Sequence, residues 1–119
     1  MWQYSISTGE MTDGEQTFTG YSGRGEYKNI PADDGVRDSG PVPVGLWYIG
    51  TPIDDIRLGP CVMRLTPDAK TDTFGRSGFY IHGDSIKNPG NGSSGCIVLP
   101  RNAREAIARS VDKSLMVTP

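Results

Sequence analysis

A mainly β domain with one short helix is the fold class this sequence predicts. Three observations carry it. Sixteen glycines and nine prolines in 119 residues divide the chain into short pieces, as frequent turns require. Several segments alternate apolar and polar residues, the period of two that marks a half-buried strand. Only the segment after Pro100 carries helical periodicity. The length suits one domain, residues 1–119, with a single modest core.

The elements follow in order. Trp2, Tyr4 and Ile6 alternate with Gln3, Ser5 and Ser7. Thr8-Gly9 and Asp13-Gly14 are turn signals, so the N-terminus reads as a small meander with a further strand over 18–21. Residues 23–43 are polar and rich in glycine and proline, a long loop of the kind that often carries function. Strands are expected over 44–50, 61–67, 78–83 and 95–99, with Cys61, Met63 and Leu65 on one face of the second. Pro100 suits a helix start, and Ala103, Ala106 and Ile107 form an i, i+3, i+4 stripe behind it. Residues 114–118 close the sheet as a last strand.

Composition excludes several functions. Net charge is −2, with acids and bases scattered and no basic block of the nucleic-acid-binding kind. No apolar run is long enough for a membrane span. The first residues lack the basic and apolar regions of a cleavable signal, so the protein is expected either to be a cytoplasmic product or to leave by a route that needs no such signal. Two cysteines do not make a disulfide framework, although a single Cys61–Cys96 bond is open. One histidine and two spaced cysteines do not supply a zinc site, and no metal or cofactor is expected.

The chemistry concentrates in "YIHGDSIKNPGNGSSGCIV". His82, the only histidine, ends one expected strand, and Cys96, fourteen residues later, begins another. If those strands are neighbours, the two side chains meet at one rim of the sheet. A free thiol is mostly protonated at neutral pH, and an adjacent imidazole can take its proton. The imidazole needs a group to orient it; Asp84 and the backbone carbonyls near Gly83 are both candidates. Acyl transfer also needs oxyanion donors. The N–H groups of Cys96 and of Gly95 or Ser94 are available, with the hydroxyls of Ser93 and Ser94 beside them. The residues alone equally allow Cys96 to be a small buried hydrophobe, as Cys61 in its apolar strand is expected to be.

Here the pattern resembles the L,D-transpeptidases. His82-Gly83, then Ser93-x-Gly95-Cys96 before an aliphatic residue, look like their catalytic signature, and "GPVPVGLWYIG" is similar to their proline-glycine segment. "GYSGRGEYKNIP", "FGRSGFYIHGD" and "GCIVLPRNAREAI" more closely resemble the small L,D-transpeptidase-like toxin domains of type VI secretion systems, across nearly the whole chain. The resemblance implies a transpeptidase-like β-sandwich or barrel and a peptidoglycan stem-peptide substrate. Cys96 would attack the third stem residue and release the terminal D-alanine. Water, a free D-amino acid co-substrate or a second stem would then resolve the thioester. It also implies action in the periplasm of a target bacterium and a cognate immunity protein in the producer.

Two departures matter. Ser94 stands where such enzymes often have histidine, and Val98 where they usually have arginine. Arg76 and Arg101 are the nearest substitutes for that arginine, and the departure leaves cross-linking in more doubt than hydrolysis or exchange. Tyr80 shares the face of His82 and either walls the pocket or packs in the core. Lys28 either meets a substrate carboxylate or is solvated. Asp84 either orients His82 or caps the following turn. Competing readings are a housekeeping or phage-borne murein enzyme, a non-catalytic peptidoglycan-binding module, and a redox thiol protein, the last disfavoured by the absence of C-x-x-C.

Overall fold

The computed structural model describes residues 1–119. Strands β1 (Trp2–Ser5), β2 (Glu10–Thr12), β3 (Thr17–Thr19) and β4 (Tyr21–Ser22) come first. Then follow β5 (Gly45–Ile49), β6 (Ile53–Asp55), β7 (Gly59–Pro67), β8 (Tyr80–His82) and β9 (Ile97–Val98). Helix α1 (Arg101–Arg109) and β10 (Ser114–Thr118) complete the chain. The mainly β expectation therefore holds, with the single helix where the alanine stripe places it.

The strands run in the order β3-β2-β1-β10-β5-β7-β8-β9-β4, with β6 paired to β7 outside that path. The two end strands, β3 and β4, are joined by one residue, Gly20, so the sheet curls nearly into a barrel. This splits the strand expected over 18–21. Gly20 donates its N–H to the Gly9 carbonyl at 2.8 Å. A Cβ at Gly20 would lie 1.9 Å from the Val98 carbonyl oxygen, so only glycine allows the seam to close on β9.

The core fills the inside of this curl. Trp2, Tyr4, Ile6, Met11, Trp47, Met63, Leu65, Ile81, Ile97 and Leu115 are buried together. Trp47 meets the Phe79 ring edge-on at 5.1 Å between centroids. Helix α1 buries Ala103, Arg104, Ala106 and Ile107. Burying Ile107 completely contributes about 1.5–3 kcal/mol.

Residues 114–118 form the expected last strand, β10, which lies inside the sheet, parallel to β1 and antiparallel to β5. Cys61 does not share the core face of Met63 and Leu65: its φ of 55° breaks the alternation and leaves it half-buried. Strand β6 was not expected, because Ile53 is exposed and two aspartates follow it. No helix is long and apolar enough to cross a membrane.

Candidate active site

Strands β8 and β9 are parallel neighbours, with Ile81 opposite Ile97 and His82 opposite Val98. Parallel strands need a crossover of about a dozen residues or more, and residues 83–96 supply it. Ile81 and Ile97 point into the core. Side chains alternate along a strand, so Tyr80, His82, Cys96 and Val98 lie on the opposite face. Cys96 stands opposite Tyr80, one diagonal from His82. Strand spacings put their Cα atoms about 8 Å apart.

His82 is 4% exposed. Its Nδ1 lies 2.6 Å from the Gly83 carbonyl oxygen. A carbonyl only accepts, so Nδ1 carries the proton and Nε2 offers its lone pair. Burial pulls the imidazole below its ordinary value; the Gly83 bond opposes this and the Arg104 charge adds to it. The ring is therefore a neutral base at pH 7. Of the two orienting candidates, the Gly83 carbonyl makes the bond. Asp84 instead accepts from the Tyr21 hydroxyl and from the N–H groups of Ser85 and Gly90, which makes it the cap of the following turn.

Cys96 is 8% exposed, and its thiol donates to the Gly78 carbonyl at 3.7 Å. Burial pushes the thiol up to about 11, against the lowering pull of the Tyr80 N–H and the Arg76 charge. The resting thiol is thus neutral and turned toward Gly78 rather than toward His82. Both cysteines are free, so no Cys61–Cys96 bond forms.

The approach to Cys96 is fixed by hydroxyls. Ser93 is buried; its Oγ donates to the Cys96 carbonyl at 2.6 Å and accepts from the N–H groups of Gly23 and Gly95. The Ser22 hydroxyl donates to the Gly95 carbonyl at 3.1 Å and accepts from Val42 N–H. This corrects two oxyanion expectations: the Gly95 N–H and the Ser93 hydroxyl already have partners. The N–H groups of Ser94 and Cys96 make no internal hydrogen bond and remain as donors.

A cleft of about 640 Å³ opens beside His82, lined also by Gly83, Asp84, Ser93 and Ser94. None of the four expected substrate residues lines it. Arg76 is buried and donates to the carbonyls of Asp34, Gly40, Pro41 and Ser94. Lys28 sits over the Tyr21 ring at 4.8 Å. Arg101 is exposed and paired with Glu105 on α1. Tyr80 is half-buried with the Arg64 guanidinium 6.0 Å from its ring centre. The cations that do line the cleft are Arg24, Arg57, Lys87 and Arg104. Sequence reasoning passed over Arg104, although it stands three residues before Ile107, on the stripe that the helix buries. The histidine, cysteines and carboxylates nowhere gather three together as a metal-ligand set.

The model of the Tlde1 domain, a type VI secretion effector domain, matches residues 16–118. The match spans nearly the whole chain, and the chain belongs to this family. None of the curated proteins matches its sequence.

Proposed function

From membership of the Tlde1 effector family, we propose that this chain is a thiol-dependent enzyme acting on peptidoglycan stem peptides. It trims the terminal D-amino acid of a tetrapeptide, as an L,D-carboxypeptidase, or exchanges it for another. The observation that carries the reading is the shared face of His82, at the end of β8, and Cys96, immediately before the parallel neighbour β9, with His82 held as a neutral base by Gly83.

The chemistry needs one local movement. Rotation about the Cys96 Cα–Cβ bond exchanges Gly78 O for His82 Nε2 as the thiol's partner. His82 then takes the thiol proton as sulfur bonds the scissile carbonyl carbon, and the N–H groups of Ser94 and Cys96 receive the oxyanion. The C–N bond breaks, and the imidazolium returns the proton to the leaving amine. Water, or the amine of a D-amino acid, next gives its proton to His82 and bonds the acyl carbon while the C–S bond breaks. The sulfur leaves as thiol with that proton. Stem trimming or exchange would remove the donors from which a target cell builds cross-links. This fits delivery into target cells and an immunity partner in the producer.

A peptidoglycan-binding module is the second reading, favoured by one observation: the thiol donates to the Gly78 carbonyl and not to His82. Disaccharide-tetrapeptide, incubated with and without D-methionine and followed by mass spectrometry, separates the two. Loss or replacement of D-alanine, abolished in Cys96→Ala, is expected. Unchanged tetrapeptide with folded, reduced protein would remove the enzyme reading. Alkylation by iodoacetamide adds a second check. Without substrate its rate should keep rising about tenfold per pH unit through pH 9, since only thiolate reacts. A plateau near neutrality would mean a standing thiolate–imidazolium pair.

A further inference from the structure

The cleft beside His82 holds an arginine whose role the fold does not exhaust. Arg104 is 7% exposed. Its Nε donates to the Leu99 carbonyl at 3.1 Å and its Nη1 to the Pro60 carbonyl at 2.6 Å. Nη2 has no protein partner, yet it is not sealed off, since Arg104 lines the cleft. That nitrogen lies directly against the backbone of Gly83, where a Cβ would come within 2.8 Å of it. A rigid, nearly buried guanidinium with an open donor beside the candidate base is a built anion site. The other cations of the cleft are exposed side chains, and Asp84 is its only carboxylate.

We propose that Arg104 binds the α-carboxylate of the leaving amino acid, and so restricts the enzyme to stems that end one residue past the scissile bond. The inference rests on the stem-peptide reading above and gives its substrate preference. His82 has to reach the nitrogen of the scissile bond. In a single leaving residue the carboxyl carbon is only about 2.5 Å from that nitrogen, so a carboxylate there falls beside the base, where Nη2 is open. A longer leaving group carries an amide at that point and its carboxylate further out. In the exchange direction the same arginine takes the carboxylate of the incoming D-amino acid, which orders its amine toward His82.

The test is calorimetric titration of the Cys96→Ala protein with disaccharide-tetrapeptide and with the same compound amidated at its C-terminus. The free acid should bind about 10- to 100-fold more tightly, the worth of a charge-assisted hydrogen bond. Arg104→Gln should erase that preference. Should Arg104→Gln not fold, Arg104→Lys keeps the charge without the planar fork and should reduce the preference several-fold. Equal affinity for acid and amide, binding of neither, or a preference that survives replacement of Arg104 would each overturn the proposal. Turnover by the wild-type protein is read separately. A carboxylate preference without turnover would keep the Arg104 site and remove the enzymatic reading; turnover indifferent to amidation would do the reverse.

Discussion

On the Cys96 side of the site, the Arg76 guanidinium donates to four backbone carbonyls and lies against Gly95. On the His82 side, the Arg104 guanidinium donates to two and lies against Gly83. Each motif glycine therefore leaves room for a buried arginine. The difference lies in what each arginine has left to give. Arg76 ties residues 34, 40 and 41 of the long loop to Ser94, and both terminal nitrogens are committed. Arg104 ties α1 to the start of β7 and keeps one nitrogen toward the cleft. One cation builds the approach to the nucleophile; the other can meet a ligand.

The largest effect expected is on the Cys96 side. Arg76→Ala leaves buried carbonyls without donors and should cost roughly 4 kcal/mol of stability, read from urea unfolding. A loss below about 1 kcal/mol would mean that water replaces the guanidinium, and would place Arg76 among the ordinary surface cations.

The glycines sharpen the contrast. Gly95 has a φ of 138°, and an added Cβ would lie 2.5 Å from Arg76 Nη2, a nitrogen held by two carbonyls. Backbone strain and overpacking together should make Gly95→Ala cost roughly 2–3 kcal/mol. At Gly83 an added Cβ would lie 2.8 Å from Arg104 Nη2 and 3.1 Å from its Cζ, so the planar guanidinium would have to shift as a whole against its bonds to Leu99 and Pro60, but no positive φ adds backbone strain. Gly83→Ala should cost about 1–2 kcal/mol, less than Gly95→Ala because overpacking acts there alone, while weakening preference for the free C-terminal acid. Equal stability losses at both positions would dissolve the distinction.

The sequence carried one half of this arrangement openly. His82-Gly83 and Ser93-x-Gly95-Cys96 stand out because chemistry needs those residue types, and the alternation at Trp2, Tyr4 and Ile6 declares its strand. What lies against each glycine is a tertiary fact. Arg76 stands 19 positions from Gly95, and Arg104 stands 21 positions from Gly83. Ser93 reads as a possible oxyanion donor until the Cys96 carbonyl accepts from its hydroxyl, while Gly23 N–H arrives from seventy residues away to donate to the same oxygen. Asp84 reads as the partner of His82 until β4, carried across the seam at Gly20, brings the Tyr21 hydroxyl to it. Strand β6 hides because an exposed Ile53 and two aspartates carry no alternation.

Acid should report the next smaller effect, and it separates the arginines by what each charge acts on. Burial, followed by the Arg104 charge, lowers the His82 value. The unfolded chain then takes up a proton near pH 6.5 that the folded protein refuses until lower pH. Stability is full above 6.5 and declines as pH falls toward the folded value. Unfolding midpoints measured from pH 7.5 to 5 should show that decline, and His82→Gln should flatten it. Arg104→Gln should narrow the window, because one opposing charge is gone. The Arg76 charge acts on the Cys96 thiol instead. A slope unchanged in His82→Gln would assign the acid sensitivity elsewhere.

The smallest effect belongs to Arg101, three residues before Arg104 on the same helix. It points to solvent, pairs only with Glu105 at 3.3 Å, and does not line the cleft. Exposed pairs of this spacing contribute within about 0.5 kcal/mol, so Arg101→Ala should leave both unfolding and acid-over-amide preference unchanged. Salt extends the same contrast. At about 1 M the screening length falls to about 3 Å, which removes long-range attraction between the exposed cations and an anionic stem. The Arg104 contact, made at hydrogen-bond distance from a nearly buried side chain, should persist. A preference lost equally in Arg101→Ala, or lost entirely in salt, would mean that the cleft attracts carboxylates by its overall charge and not through the open nitrogen of Arg104.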